Sequence, residues 1–175
     1  QEGGIAIADV LFGDFNPAGR LPFSVPRSVG QIPLYYNKKA PQSHDYVEMS
    51  ASPLYPFGYG LSYTSFDYSD LHLSALMPRS FEISFKVRNT GKYDGEEVAQ
   101  LYLRDEYASV VQPLKQLKHF ARFYLKRGEE REVKFILSEE DFSLVDRNLK
   151  KIVEPGTFQI MIGAASNDIR LQTKV

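Results

Sequence analysis

The chain has 175 residues, 43% of them apolar, with no cysteine and no tryptophan. That length and apolar content suffice for a real core, as one sandwich or two small units. Twenty-one basic residues against 22 acidic ones leave no broad field for nucleic acid or an anionic membrane, and the missing thiols exclude disulfides and thiolate metal sites.

No stretch approaches the roughly 18 apolar residues of a membrane-spanning helix, and the opening residues lack the basic and apolar regions of a secretory leader. The compartment is therefore not encoded in these features. Gln1 to Gly13 reads as the end of a helix, because Ile5, Ala8, Leu11 and Phe12 share one face, Gly13 suits the C-terminal cap and Pro17 blocks continuation. Its start carries no Ser, Thr, Asp or Asn cap, so the expectation is a helix that begins where the chain is cut. Asn16-Pro17-Ala18-Gly19 is a turn sequence, and Arg20 to Val25 is expected to form one short strand. Pro26 to Pro53 shows no regular period. So long an irregular stretch is either a functional loop or a segment draped over a neighbour outside these residues, and draping is the expectation. Tyr55 to Phe66 crowds aromatic rings around Pro56, Gly58 and Gly60. Rings so dense on a bend bury against something, which predicts a packed junction between domains.

Composition changes at the same place. Through Ser65 the chain holds seven of its 10 prolines and seven of its 12 glycines, but only nine of its 43 charged residues. This sets a domain boundary at 1–65 and 66–175. Beyond it Leu71 and Leu73 alternate, as do Phe81, Ile83, Phe85 and Val87, ending at the turn Asn89-Thr90-Gly91. Strands are also expected at Val98 to Leu103, Gln116 to Leu125, Glu132 to Leu137, Phe142 to Val145, Lys151 to Val153, Thr157 to Ile162 and Ile169 to Thr173. Lys126-Arg127-Gly128-Glu129 and Glu154-Pro155-Gly156 are turns, and Ser138 to Asp141 is a single helical turn capped by Ser138. The fold class is thus mainly β, a two-sheet antiparallel sandwich.

Most carboxylates alternate with apolar residues on strands and form a solvated face. Glu2, Asp9 and Asp14 lie on or beside the opening helix; Asp9 is expected to fix a turn or meet Arg20, and Asp14 to begin the turn after the cap. His44, His72 and His119 are too scattered to converge on a metal. His44 is the most suggestive, because His44-Asp45-Tyr46 lies in the long loop, against the plain alternative of exposed polar surface. Tyr35, Tyr36, Tyr55, Phe57, Tyr59 and Tyr63 could stack on sugar rings, but their spacing around prolines and glycines favours packing at a junction. Gly13, Gly19, Gly58 and Gly60 lack the strand, turn and helix order of a phosphate loop.

Gly3-Gly4-Ile5-Ala6-Ile7-Ala8-Asp9-Val10-Leu11-Phe12-Gly13-Asp14, Asn16-Pro17-Ala18-Gly19-Arg20-Leu21-Pro22 and the aromatic stretch from Tyr55 together resemble the C-terminal part of glycoside hydrolase family 3, the β-glucosidase and β-xylosidase family. The likeness continues through Arg88-Asn89-Thr90-Gly91, Asp94-Gly95-Glu96-Glu97-Val98, Gln100-Leu101-Tyr102-Leu103, Leu114-Lys115-Gln116-Leu117-Lys118 and Glu154-Pro155-Gly156. What it implies is a remnant of an α/β sandwich domain followed by a fibronectin type III-like sandwich.

Retaining glycoside hydrolysis needs two carboxylates about 5 to 5.5 Å apart. By the resemblance, the nucleophilic Asp belongs to an upstream barrel and the acid/base Glu lies before the Gly-Gly stretch, so no catalytic, cofactor or metal residue is carried over. The implied role is non-catalytic, stabilising catalytic domains of the same polypeptide, with the loop from Lys38 to Ser52 at the active-site rim. The parent's substrate would be an oligo- or aryl β-glycoside, and its location periplasmic or secreted. The competing reading is a carbohydrate-binding or cell-surface interaction module that uses exposed aromatics.

Overall fold

Residues 2–39, 45 and 47–175 are described by the structure, a computed structural model. His44 and Tyr46 fall outside them. Alternation decides the architecture from Phe66 onward. In β2 (Ser80–Asn89) Ile83, Phe85 and Val87 are fully buried, while Glu82, Lys86 and Arg88 point the other way. Eight further strands follow the same logic: β1 (Phe66–Met77), β3 (Gly95–Asp105), β4 (Gln116–Leu125), β5 (Glu130–Leu137), β6 (Leu144–Val145), β7 (Lys151–Ile152), β8 (Phe158–Ala165) and β9 (Asp168–Lys174).

They form a three-stranded sheet ordered β1-β2-β5, a four-stranded sheet ordered β4-β3-β8-β9 and the small ribbon β6-β7. Every pairing is antiparallel. Register sets Phe85 opposite Val133 and Leu101 opposite Ile162, which sends both rows between the sheets. There they join Leu103, Leu125, Phe135, Leu137 and Ile160 in one apolar core. The expected single turn is present: Ser138 Oγ and N both lie within 3.0 Å of Asp141 Oδ2, a capping box over Glu139–Phe142. That turn takes in Phe142, so the strand expected from Phe142 starts only at Leu144.

The helix at the start is α1 (Gly3–Phe12), with no side-chain bond at its N-terminal cap and Gly13 at φ 89 closing the other end. None of its residues is buried, and Ile5, Leu11 and Phe12 stand open to solvent. Arg20 to Val25 is not a strand. Its amides instead pair irregularly with the aromatic stretch, Leu21 N to Tyr59 O at 2.9 Å and Val25 N to Tyr55 O at 2.8 Å, because Pro22 and Pro26 interrupt any ladder. Among the described residues no helix is long and apolar enough to cross a membrane.

Strands β3 and β8 are buried on both faces. One face is the core; the other lies under the chain's own irregular segment. Tyr36 meets Tyr102 edge-on at 6.3 Å, Ser166 N donates to Phe57 O at 2.9 Å, and Leu114 N donates to Lys38 O at 3.1 Å. Within the segment expected to drape over an absent neighbour, Tyr36 and Lys38 thus meet the sandwich of the same chain, while Val29, Ile32, Tyr35 and Val47 stay open to solvent.

Candidate functional site

The junction is built from three kinds of contact. The first is backbone approach that only glycine permits. Gly58 sits at φ 80, and a Cβ there would lie 2.2 Å from Gln100 Oε1. At Gly60 a Cβ would lie 2.2 Å from the Gly19 carbonyl. This closeness lets Gln100 Nε2, fully inside, bond the Gly58 carbonyl at 3.3 Å and the Ala164 carbonyl at 2.6 Å, while its Oε1 accepts from Tyr102 OH. One amide side chain thus ties the aromatic stretch to β3 and β8.

The second contact is a buried ion pair. Arg20 Nη2 lies 2.6 Å from Glu97 Oε1, with side chains 12% and 2% exposed. Glu97 also accepts from the Val98 amide at 2.8 Å. Of the two roles expected for Asp9, fixing a turn or meeting Arg20, the second fails because Arg20 pairs with Glu97; the Asp9 backbone carbonyl accepts from Phe15 N at 3.0 Å. Beside the pair, Arg170 lies over the Tyr68 ring at 4.9 Å and holds Asp168 at 2.9 Å. Burial pushes the Tyr68 phenol well up from its ordinary value, and the Glu97 carboxylate adds in the same direction.

The third is aromatic. Tyr36 stacks on Phe57 at 4.0 Å, and Tyr55 and Tyr59 meet at 4.9 Å. Tyr35 and Tyr63 remain largely open, although Tyr63 OH donates to Val10 O at 2.6 Å. Four of the six candidate rings are thus paired with one another within the chain, as packing at a junction requires.

Among the described residues no group of three His, Cys, Asp or Glu could hold a metal ion. His119 Nε2 lies 3.4 Å from Asp141, the capping residue, and is stacked on Phe135. His72 lies on β1 opposite Ser84, away from His119 on β4. Asp105 and Asp141 line one cavity, but its volume of about 20 Å³ admits no sugar. Burial raises Asp105, whereas hydrogen bonds from Ser109 lower Glu154 and a bond from Lys151 lowers Glu140.

Sequence reasoning missed Arg20, Glu97 and Gln100 as the junction's polar fixings. The available signal was Gln100, a polar side chain flanked on both sides by apolar residues in Val98-Ala99-Gln100-Leu101-Tyr102-Leu103; Glu97, next to Glu96, carried none.

Residues 1–63 match the glycosyl hydrolase family 3 C-terminal domain, and residues 97–166 match the fibronectin type III-like domain. Over 183 residues the chain is 46% identical to a periplasmic β-glucosidase of Salmonella typhimurium, covering 97% of this chain and 24% of that protein. Over nearly its whole length the chain corresponds to the C-terminal part of family 3 glycosyl hydrolases. A β-xylosidase of Formosa agariphila is 45% identical, with 97% of this chain and 24% of that protein covered. In three dimensions a β-glucosidase from Erythrobacter marinus superposes with a TM-score of 0.92 at 43% identity, over 99% of this chain and 23% of that one. A β-glucosidase of Listeria innocua in complex with glucose gives 0.88 at 36% identity, over 98% and 26%. The chain spans about a quarter of the length of these relatives.

Proposed function

We propose that this chain is a non-catalytic, supporting part of a family 3 β-glycosidase that removes terminal β-D-glucosyl or related residues with retention. The observation that carries the reading is the covered outer face of β3 and β8, the two central strands of the four-stranded sheet. Residues matching the family's C-terminal domain are pinned through Arg20–Glu97 and Gln100–Gly58 to the strands matching the fibronectin-like domain. The sandwich then acts as a rigid base, while the apolar residues of α1, all unburied, face catalytic domains of the same polypeptide. We place the boundary between the two parts at Ser65 and Phe66, where β1 begins. Neither catalytic carboxylate lies in these residues. A periplasmic or secreted location follows the Salmonella relative.

The 19.9 kDa chain should give no turnover of an aryl β-glucoside above buffer, and the mass of the natural polypeptide should be several times larger. Hydrolysis abolished by substitution of a single carboxylate, or a natural polypeptide of this mass alone, would overturn the reading.

A further inference from the structure

A cleft of about 600 Å³ opens between the irregular segment and the chain around Lys115 and Ser166, within the size range of small-molecule sites. Tyr35, Tyr36, Pro53 and Pro56 supply apolar wall, and Lys38, Lys115 and Asp45 supply charge. The wall is firm, because Tyr36 is stacked on Phe57 and its hydroxyl accepts from Leu117 N at 3.3 Å. Tyr35, by contrast, keeps 65% of its surface open, leaving a ring face free.

The carboxylate lining the cleft is already engaged: Asp45 Oδ1 accepts from Ala51 N at 2.8 Å and from Ser50 Oγ at 3.3 Å. Lys115 Nζ donates to the Ser166 carbonyl at 2.6 Å, one acceptor for a group that carries three donors. Burial holds its pKa below the ordinary lysine value, and Arg104 nearby adds to the effect. A bound anion would offset both.

We propose that the cleft binds a pyranose bearing a carboxylate, a hexuronate, with the acid group against Lys115 and the ring face against Tyr35. Aromatic and proline surfaces suit the apolar face of a sugar ring, and a charge-assisted bond to a half-buried ammonium favours the acid over its neutral counterpart. This ligand goes beyond the supporting role and is independent of whether the longer polypeptide hydrolyses glucosides.

The test is titration of the 175-residue chain with methyl β-D-glucuronide and methyl β-D-glucoside, followed by amide shifts in NMR. The glucuronide should bind saturably and the glucoside about tenfold more weakly. Lys115→Gln should reduce the glucuronide to the glucoside's affinity, Lys115→Arg should restore the preference, and Tyr35→Ala should weaken both. Equal affinities for the two sugars, no binding of either, or glucuronide binding indifferent to Lys115→Gln would overturn the proposal. Should Lys115→Gln fail to fold, Tyr35→Ala decides alone: unchanged glucuronide binding by this exposed-residue variant overturns it.

Discussion

The strands from Phe66 onward and the segment before them are stabilised in different ways. The strands enclose a dry core in which Ile83, Phe85, Leu101, Leu125 and Ile160 are fully buried. Among the described residues of the segment before them, Ala18 and Pro56 are buried apolar side chains, and none is contributed by α1. It is held instead by an ion pair, an amide and a ring stack. A region with its own core carries its fold in itself, whereas one fixed by a few polar contacts takes its shape from the surface it lies on.

The largest expected effect breaks the first region. Phe85→Ala removes a fully buried ring packed on Tyr68 and Phe135, and should lower stability to urea by about 3 to 5 kcal/mol. Ile5→Ala, on the open face of α1, should change it by less than about 0.5 kcal/mol. Comparable losses from the two would erase the distinction.

Next comes the ion pair. Glu97→Ala strands the Arg20 guanidinium at 12% exposure, and should cost about 3 kcal/mol. Replacing both Arg20 and Glu97 by methionine should recover most of that loss, since the desolvation of two charges vanishes with them. A double variant as unstable as Glu97→Ala would show that the pair itself, rather than its burial, fixes the segment. Gly58→Ala should cost about 2 kcal/mol, because the new Cβ strains a positive φ and displaces Gln100. Limited proteolysis sharpens that case: cuts should appear before Phe66 while the sandwich survives. Cleavage spread evenly over both regions would contradict a locally released segment.

Legibility in the sequence follows the same division. Phe81, Ile83, Phe85 and Val87 announce β2 because one face meets the core and the other meets water, so the period of two survives in the letters. Ser138 and Asp141 announce their turn because the capping box is local, three residues across. Arg20 and Glu97 announce nothing to each other across 77 residues, and a charged residue destined for burial reads like one destined for solvent. Leu21 and Val25 look like a strand by composition, yet their partners, Tyr59 and Tyr55, lie in a bend rather than a strand. Draping was visible in the irregularity of Pro26 to Pro53, but the surface beneath it was not, since Tyr102 and Gln100 reveal their outer face only in three dimensions. The pairing of Tyr36 with Phe57 follows from the aromatic density around the bend; the cleft beside it does not.

The smallest expected effect lies where the two regions touch at an exposed edge. Asp94 accepts from Arg127 N and from Tyr124 OH, each at 2.8 Å, and its carbonyl accepts from Asn16 Nδ2 at 3.0 Å. The Arg127 amide, then the Tyr124 hydroxyl, hold the Asp94 carboxyl below its ordinary value. A carboxylate depressed on folding adds stability that is complete above its unfolded value and is lost as pH falls through the folded one. Tyr124 shows the converse, since its bond to Asp94 raises the phenol, and that contribution disappears as pH rises through the raised value. Asp94→Asn should therefore leave a flatter acid limb in the thermal midpoint, with the variant and the parent converging in strong acid. The gap at neutral pH should be slight, because the group is exposed and water competes for it. Midpoints that stay parallel from neutral pH into strong acid would place the acid sensitivity elsewhere, and would reduce the Asn16 contact to a passive one.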